Sequence, residues 1–415
     1  MFIGIVADDL TGAADSVAPF AQEGYAAGVC LWGKEVAELR WDALAMSTGL
    51  RDMHHEKPTL VASIARKITR RMIARAPQIY YKKIDSTLRG HLRTELDGML
   101  RELPGRIALV CSASPANGRT VENGVVFVGG IPLAQSEFMT GVEDAGRFAS
   151  VRTAFEYVED PTAAEIGLTT VRAGTDFLEA ELDHQIGTGV RTFFFDAVTP
   201  EDLRTLAQIV LRRPEYYLPV GSAGWTRAIA ESLPAVETPE LPPWDNELFV
   251  QGRILVLIGS MHPMSRRQAR RLIGKPGVKH TVLRESDADM EFLAAVLNTR
   301  ERPTDEKLLV VMTSEETRPD GHAYSFTAPF YWLEAEEANG SIVVPFDGYV
   351  ITGGETAGQV FSVMRSTHLQ VFGESEPGIV RALLHQQPGL ASVPVILKAG
   401  GFGDEGTLAR CVGLE

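Results

Sequence analysis

Short apolar runs alternate with segments of helical period along this chain, and many of the runs end in turns of glycine, hydroxyl or acidic residues. That alternation points to an α/β architecture built on mainly parallel sheets. Phe2–Val6 reads as a first strand and Thr11–Gln22 as the helix after it, with Ala14, Val17, Ala18 and Ala21 on its apolar face. Ala26–Leu31, Ala43–Met46, Ile107–Cys111, Thr192–Phe195 and Tyr217–Val220 read as further strands, and His55–Ala74 as a helix with a basic outer face. Between Leu233 and Asn246 the texture changes. Pro234, Pro239, Pro242 and Pro243 block both helix and central strand, so this stretch reads as a linker. The alternation then restarts, with strands at Arg253–Ile258, Leu308–Met312, Tyr349–Thr352 and Pro394–Leu397 and a helix at Ser265–Ile273. A chain of 415 residues is too long for one ordinary core. Two domains are expected, residues 1–238 and 239–415, each a mainly parallel sheet flanked by helices, with an active-site cleft between them. The stretch from Pro132 to Glu159 reads as loop plus helix.

A formal charge of −14 argues against general nucleic-acid binding. Cys30, Cys111 and Cys411 lie far apart, have no zinc spacing and leave one unpaired in any disulfide scheme, so a reducing cytoplasm is the simplest setting. His54-His55 also lacks matching ligands at zinc spacing. The start is not a signal peptide, because Asp8 and Asp9 cut its apolar run. No stretch offers the roughly 18 apolar residues of a membrane helix. A homodimer is compatible with the sequence, although no particular residue argues for one.

The richest stretch is Tyr81-Lys82-Lys83-Ile84-Asp85-Ser86-Thr87-Leu88-Arg89-Gly90, at the end of the apolar run Ile79-Tyr80-Tyr81. Ligands of open α/β sheets sit at strand ends. Lys and Arg suit a carboxylate, and Asp and Ser suit hydroxyls, so the mixture fits an anionic, hydroxyl-rich small molecule. The competing reading is a solvated loop in which Asp85 or Ser86 caps the next helix. The first strand ends similarly, in Asp8-Asp9-Leu10-Thr11-Gly12. One of these carboxylates can cap the helix while the other faces a crevice as a hydroxyl anchor, a base or a Mg²⁺ ligand. Arg51 follows another strand and opens a cationic island, with eleven Lys or Arg but three acids from Arg51 to Arg93. Part of the island reads as a solvated helix face, but Arg51, Lys83 and Arg89 fall at strand ends or helix starts, within reach of a small anion.

The second half carries three glycine or hydroxyl turns after apolar strands. They are Gly259-Ser260-Met261-His262, Gly353-Gly354-Glu355-Thr356-Ala357-Gly358 and Lys398-Ala399-Gly400-Gly401-Phe402-Gly403. Glycine lets a backbone approach phosphate closely, and free N–H groups at a helix start bind anions. Any one turn alone reads sooner as an ordinary βα connection, whereas three together suggest a nucleotide site. They match no standard phosphate loop, since Gln359-Val360 stands where a P-loop needs Lys-Ser/Thr. No dinucleotide fingerprint opens a helix after a strand. Gly221-Ser222-Ala223-Gly224 does not fit a nucleophile elbow and reads as another helix-opening turn.

Taken together, these motifs make the chain resemble the four-carbon acid sugar kinases. The matching stretches are Ala7–Ala13, Lys82–Gly90, Pro115–Thr120, Gly353–Ala357 and Lys398–Gly403, in the family's order over nearly the whole chain. The resemblance implies an N-terminal substrate domain and a C-terminal nucleotide domain. It implies that Asp9, Arg51, Lys83, Asp85, Ser86 and Arg89 line the acid-sugar site, with Asp9 or Asp85 orienting or deprotonating the attacking hydroxyl. It implies that Ser260, Gly353, Gly354, Glu355, Thr356 and Gly400 touch ATP, with Mg²⁺ as the accompanying cation. Family members phosphorylate the terminal hydroxyl of tetronates such as threonate, erythronate or 3-oxo-tetronate. The chain departs from the family at Ser114, around Glu137, and at Met261-His262, which leaves the acid itself open. The alternatives are a non-catalytic sensor of nucleotide or sugar acid and, with less support, an NAD-dependent dehydrogenase.

Overall fold

The structure, a computed structural model, describes residues 1–31, 40–51, 57–136, 153, 160–234, 236, 244, 246–284, 308–314, 346–364, 366–386 and 391–415. The chain divides into two compact units, with the change at Pro239/Glu240. His54-His55 and most of the stretches 132–159 and 233–246 lie outside the described residues.

In the first unit the strands are β1 (Ile3–Ala7), β2 (Ala27–Cys30), β3 (Ala43–Ser47), β4 (Ile79–Lys83), β5 (Ile107–Cys111), β6 (Arg119–Glu122), β7 (Val125–Val128), β8 (Ile131–Pro132), β9 (Ala163–Ile166), β10 (Thr192–Phe195) and β11 (Tyr217–Gly221). Eight of them form a wholly parallel sheet in the order β2-β3-β1-β4-β11-β5-β10-β9. All residues of β1, β4, β5 and β11 are buried, as expected of strands covered on both faces. The helices Pro58–Ile73 and Leu92–Glu102 pack together, and the helix Leu10–Gln22 packs with Ala223–Glu231, which also meets Pro200–Arg212. Glycine permits the tight fits. A Cβ at Gly4 would lie 2.5 Å from Met72 Sδ, and one at Gly98 would lie 3.0 Å from the Ala62 carbonyl. The strands β6, β7 and β8 form a separate antiparallel ribbon.

The order of the strands has a reversal in its middle. From β1 the chain winds toward β3 and β2, whereas from β4 it winds the other way, toward β11 and β5. The winding therefore reverses between β1 and β4, and open α/β sheets bind their ligands beyond the strand ends at such a reversal. Ala7 lies opposite Lys83 in this pair, so Asp8-Asp9 and Ile84-Asp85 leave the sheet side by side.

The second unit contains β12 (Ile254–Ile258), β13 (Lys279–Leu283), β14 (Leu308–Thr313), β15 (Gly348–Thr352), β16 (Ser366–Glu376), β17 (Ile379–Gln386) and β18 (Val393–Lys398). Their order is β13-β14-β12-β15-β18-β17-β16, parallel as far as β18. β17 and β16 are antiparallel, so one side of this sheet is a hairpin that the strand reading missed. Its core gathers Val256, Ile258, Val310, Val350 and Ile396 with Leu272 from the helix Pro263–Ile273, Leu408 from the C-terminal helix Thr407–Cys411, and Val412 just past it. Here the reversal lies between β12 and β15, where Ile258 pairs with Thr352. The Ser260 and Gly353 turns leave the sheet from that pair.

Candidate active site

Asp9 takes the N-cap position of the helix Leu10–Gln22. Its extended backbone lets Oδ1 accept from the Gly12 N–H at 2.8 Å, and Oδ2 accepts from the Thr11 hydroxyl at 2.6 Å. Asp8 turns to Arg51, whose Nε donates to Oδ2 at 2.8 Å and Nη2 to Oδ1 at 2.7 Å. Burial alone would raise the Asp8 pKa, but Arg51, Lys82 and Lys83 hold it below the usual carboxylate value. The same guanidinium lies 2.8 Å from Asp9 Oδ1 and 4.0 Å from Asp85 Oδ1. One buried arginine thus joins three carboxylates. Burial opposes its charge, but these three keep its pKa well above the ordinary value.

Asp85 is the hub of its own loop. Its Oδ2 accepts from the Thr87 hydroxyl, from the Thr87 N–H at 3.2 Å and from Arg89 Nε at 2.9 Å, and its Oδ1 accepts from Arg89 Nη2 at 3.0 Å. Burial pushes against ionisation, but Arg89 and Arg51 pull the Asp85 pKa well below the usual range. The loop needs Leu88 at φ 61°, a left-handed conformation that costs roughly 1–2 kcal/mol in a non-glycine residue. Burial of the Leu88 side chain offsets that cost. Neither Asp85 nor Ser86 caps the following helix, whose N-cap is His91.

Lys82 and Lys83 point opposite ways, as neighbours on a strand must. Lys82 is sealed inside and donates to Glu95 Oε2 at 3.0 Å, and Glu95 also accepts from the Thr48 hydroxyl at 2.9 Å. Lys83 faces the carboxylates. A Cβ at Gly12 would lie 2.3 Å from Asp9 Oδ1, 3.0 Å from Lys83 Nζ and 3.2 Å from Arg51 Nη2, so only glycine fits there. The Ser86 hydroxyl has no hydrogen-bond partner among the described residues. The six expected residues of this half therefore share one strand-end region, and five of them form a contiguous charged cluster. Asp8, left open in the sequence as one of the Asp8-Asp9 pair, and Arg119, part of a matched stretch, were not among the expected site residues. Arg119 is buried within the fields of Asp85 and Arg89. Its signal was present, since it ends the Pro-Ala-Asn-Gly-Arg stretch.

In the second unit, Gly353 has φ 95° and opens the helix Gly354–Val363. A Cβ at Gly353 would lie 3.6 Å from Ser260 Cβ and from Thr356 Oγ1, and one at Gly400 would lie 2.3 Å from Ser260 Oγ. Ser260, Gly353, Thr356 and Gly400 are thus neighbours, although the chain separates them widely. Glu355 is exposed in the first turn of the helix, beside Gln359, whose Nε2 donates to it at 3.0 Å. His262 stands next to Gly400, and its Nδ1 accepts from the Met264 N–H at 3.1 Å. The result is a cradle of glycine backbone, two hydroxyls and a helix start, suited to an anionic phosphate chain. The Gly221–Gly224 stretch opens a helix, as expected, with the Ser222 side chain as N-cap.

Comparison with known proteins finds one family match within each unit. Residues 3–229 match the family described as Sugar-binding N-terminal domain, and residues 255–408 match Nucleotide-binding C-terminal domain. The chain belongs to the four-carbon acid sugar kinase family. Among the relatives of this family member are D-threonate kinases from Cupriavidus necator, 30% identical over 97% of this chain and 95% of the relative, and from Bordetella bronchiseptica, 28% identical over 99% and 96%. A crystal structure from Salmonella typhimurium LT2 has the same fold, with a TM-score of 0.73 at 22% identity over 98% of each chain. Among the described residues no helix is long and apolar enough to cross a membrane.

Proposed function

We propose that this chain is an ATP-dependent kinase that phosphorylates the terminal hydroxyl of a four-carbon sugar acid, with D-threonate as the leading substrate. The observation that carries the reading is the cluster around Arg51. It presents fixed carboxylate acceptors beside lysine and arginine donors at the switch point of the first sheet. Lys83 and Arg89 would hold the acid's carboxylate, and Asp9, Asp85 and Ser86 its hydroxyls. Arg51 is already shared among three carboxylates, so its role is to fix their positions. Asp85 is held strongly ionised and is therefore a weak base, better suited to orienting the hydroxyl than to removing its proton. Phosphoryl transfer through a loose transition state asks little of a base and much of positioning and charge stabilisation.

The cradle of the second unit would take ATP, with Ser260, Gly353, Gly354, Glu355, Thr356 and Gly400 around the phosphates. Mg²⁺ is usually held by one or two protein oxygens plus the phosphates themselves, and the cradle offers Glu355 and Thr356 for this. The metal would draw charge from the transferred group.

ADP release, followed by a coupled assay with Mg²⁺ and a panel of D-threonate, D-erythronate and 3-oxo-tetronate, tests the reading. Turnover driven by one acid, well above the rate without acid, is expected. ATP binding by calorimetry with no turnover on any acid would favour a sensor instead.

A further inference from the structure

Lys398 is the last residue of β18 and has no exposed surface. No carboxylate meets it among the described residues. Its Nζ donates to the carbonyls of Ala399 and Gly400, each at 2.9 Å, and reaches Ser265 Oγ at 3.4 Å. Ser265 Oγ itself donates to the Gly400 carbonyl at 2.7 Å. A lysine ammonium has three protons to donate, and these three oxygens can take all of them.

Two consequences follow from peptide geometry. In a trans peptide the carbonyl and the next N–H point in opposite directions. Drawing the Ala399 and Gly400 carbonyls toward Nζ therefore turns the Gly400 and Gly401 N–H groups away from it. Neither of those N–H groups has a hydrogen-bond partner among the described residues. Two successive free N–H groups on a glycine turn form an anion-binding concavity. The Lys398 carbonyl also accepts from the Gly353 N–H at 3.0 Å, so one residue ties both glycine turns of the cradle together.

We infer that Lys398 is a positioning residue of the nucleotide site, which holds the Gly400-Gly401 N–H pair toward a phosphate group and places one positive charge beneath it. The inference rests on the nucleotide reading above and adds to it a residue that does not itself touch the ligand.

Because burial opposes its charge, Lys398 is pushed down to about 7. The groups facing it are Ser265 from the helix Pro263–Ile273 and Cys411 from the C-terminal helix, with His262 beyond Gly400. The Cys411 thiol is pushed up to about 12 by burial and stays protonated near neutral pH. An arriving phosphate favours the charged amine, so at pH 8 binding should take up protons. At that pH the terminal phosphate of ADP is already ionised, since its second pKa is about 6.

The experiment is calorimetry of MgADP binding to the full chain at pH 8, in buffers of different ionisation enthalpy, with wild type, Lys398→Met and His262→Gln. Proton uptake is expected in wild type and His262→Gln and not in Lys398→Met, whose affinity should fall about tenfold or more. Wild type that binds MgADP without proton uptake overturns the inference and leaves the nucleotide reading standing. Uptake that disappears with His262→Gln also overturns it. Wild type that does not bind MgADP overturns both. If Lys398→Met does not fold, the wild-type and His262→Gln measurements decide.

Discussion

Arg51 grips Asp8 with two parallel hydrogen bonds, Nε to Oδ2 at 2.8 Å and Nη2 to Oδ1 at 2.7 Å, inside a site where both side chains are buried. Asp8 therefore fixes the arginine that also meets Asp9 and Asp85. Breaking a buried pair by removing one charge costs on the order of 3–5 kcal/mol when the other charge is left uncompensated, and the low end applies here because Asp9 and Asp85 still meet Arg51. Asp8→Asn should lower the unfolding free energy of the first unit by about 3 kcal/mol. It should also weaken acid-dependent turnover, although Asp8 need not touch the acid. Urea unfolding followed through Trp225, buried in this unit, measures the first effect, and a loss below about 1 kcal/mol would contradict the role given to the pair.

Asp85→Asn and Arg89→Ala should each reduce kcat/KM by at least about 100-fold while leaving the circular dichroism spectrum unchanged, since small misplacements of a reacting group have costs of that order. Near-normal activity in both variants would remove this loop from the site. The pair also has a pH signature. The folded Asp85 pKa lies well below its ordinary value of 3.8. Its stabilisation is therefore complete above pH values near 4 and is lost as the pH falls through the lower folded value. Acid unfolding between pH 5 and pH 2 should depend less steeply on pH in Asp85→Asn than in wild type.

Gly400→Ala puts a methyl group 2.3 Å from Ser260 Oγ and 3.3 Å from Ser260 Cβ. The hydroxyl can rotate away, but Cβ cannot. The substitution should raise KM for ATP about tenfold or more, with little change in KM for the acid. Adding Ser260→Ala removes the nearest atom, so the thermal stability lost in Gly400→Ala should partly return in the double variant. Equal effects on both KM values would show that Gly400 does not belong to the nucleotide half.

The parallel sheets were legible from the buried runs themselves, because strands such as Ile107–Cys111 and Ile254–Ile258 have no polar face to confuse the pattern. The hairpin of β16 and β17 was not. Gly373, Glu374 and Glu376 break the apolar pattern of Ser366–Glu376, and the register shifts twice near them. The Pro377-Gly378 pair between the strands was the available turn signal, with Gly378 at φ 79°. At the site, residue type and strand-end position pointed to Arg51, Lys83, Asp85, Arg89 and the Asp8-Asp9 pair, and the family resemblance alone chose Asp9. They could not decide between Asp8 and Asp9, because the choice is made by the Asp9 backbone, which aims that side chain at the Gly12 N–H. Strand alternation could have separated Lys82 from Lys83. Lys398 stood in a recognised motif, but its role depends on where Ser265, 133 positions away, falls in space.

The charges around Arg51 bear on how an acid would arrive. Asp8, Asp9 and Asp85 bring three formal negative charges, while Arg51, Lys83 and Arg89 bring three positive ones and the buried Arg119 beside Asp85 a fourth, within a protein of net charge −14. A surplus of one positive charge gives the cluster little field to draw an anion from a distance, and the net charge of the molecule opposes it. Capture must therefore depend on contact: donors already aimed, and hydroxyls that match the fixed acceptors. A site of this kind discriminates by stereochemistry far more than by charge, and its affinity should change little with ionic strength.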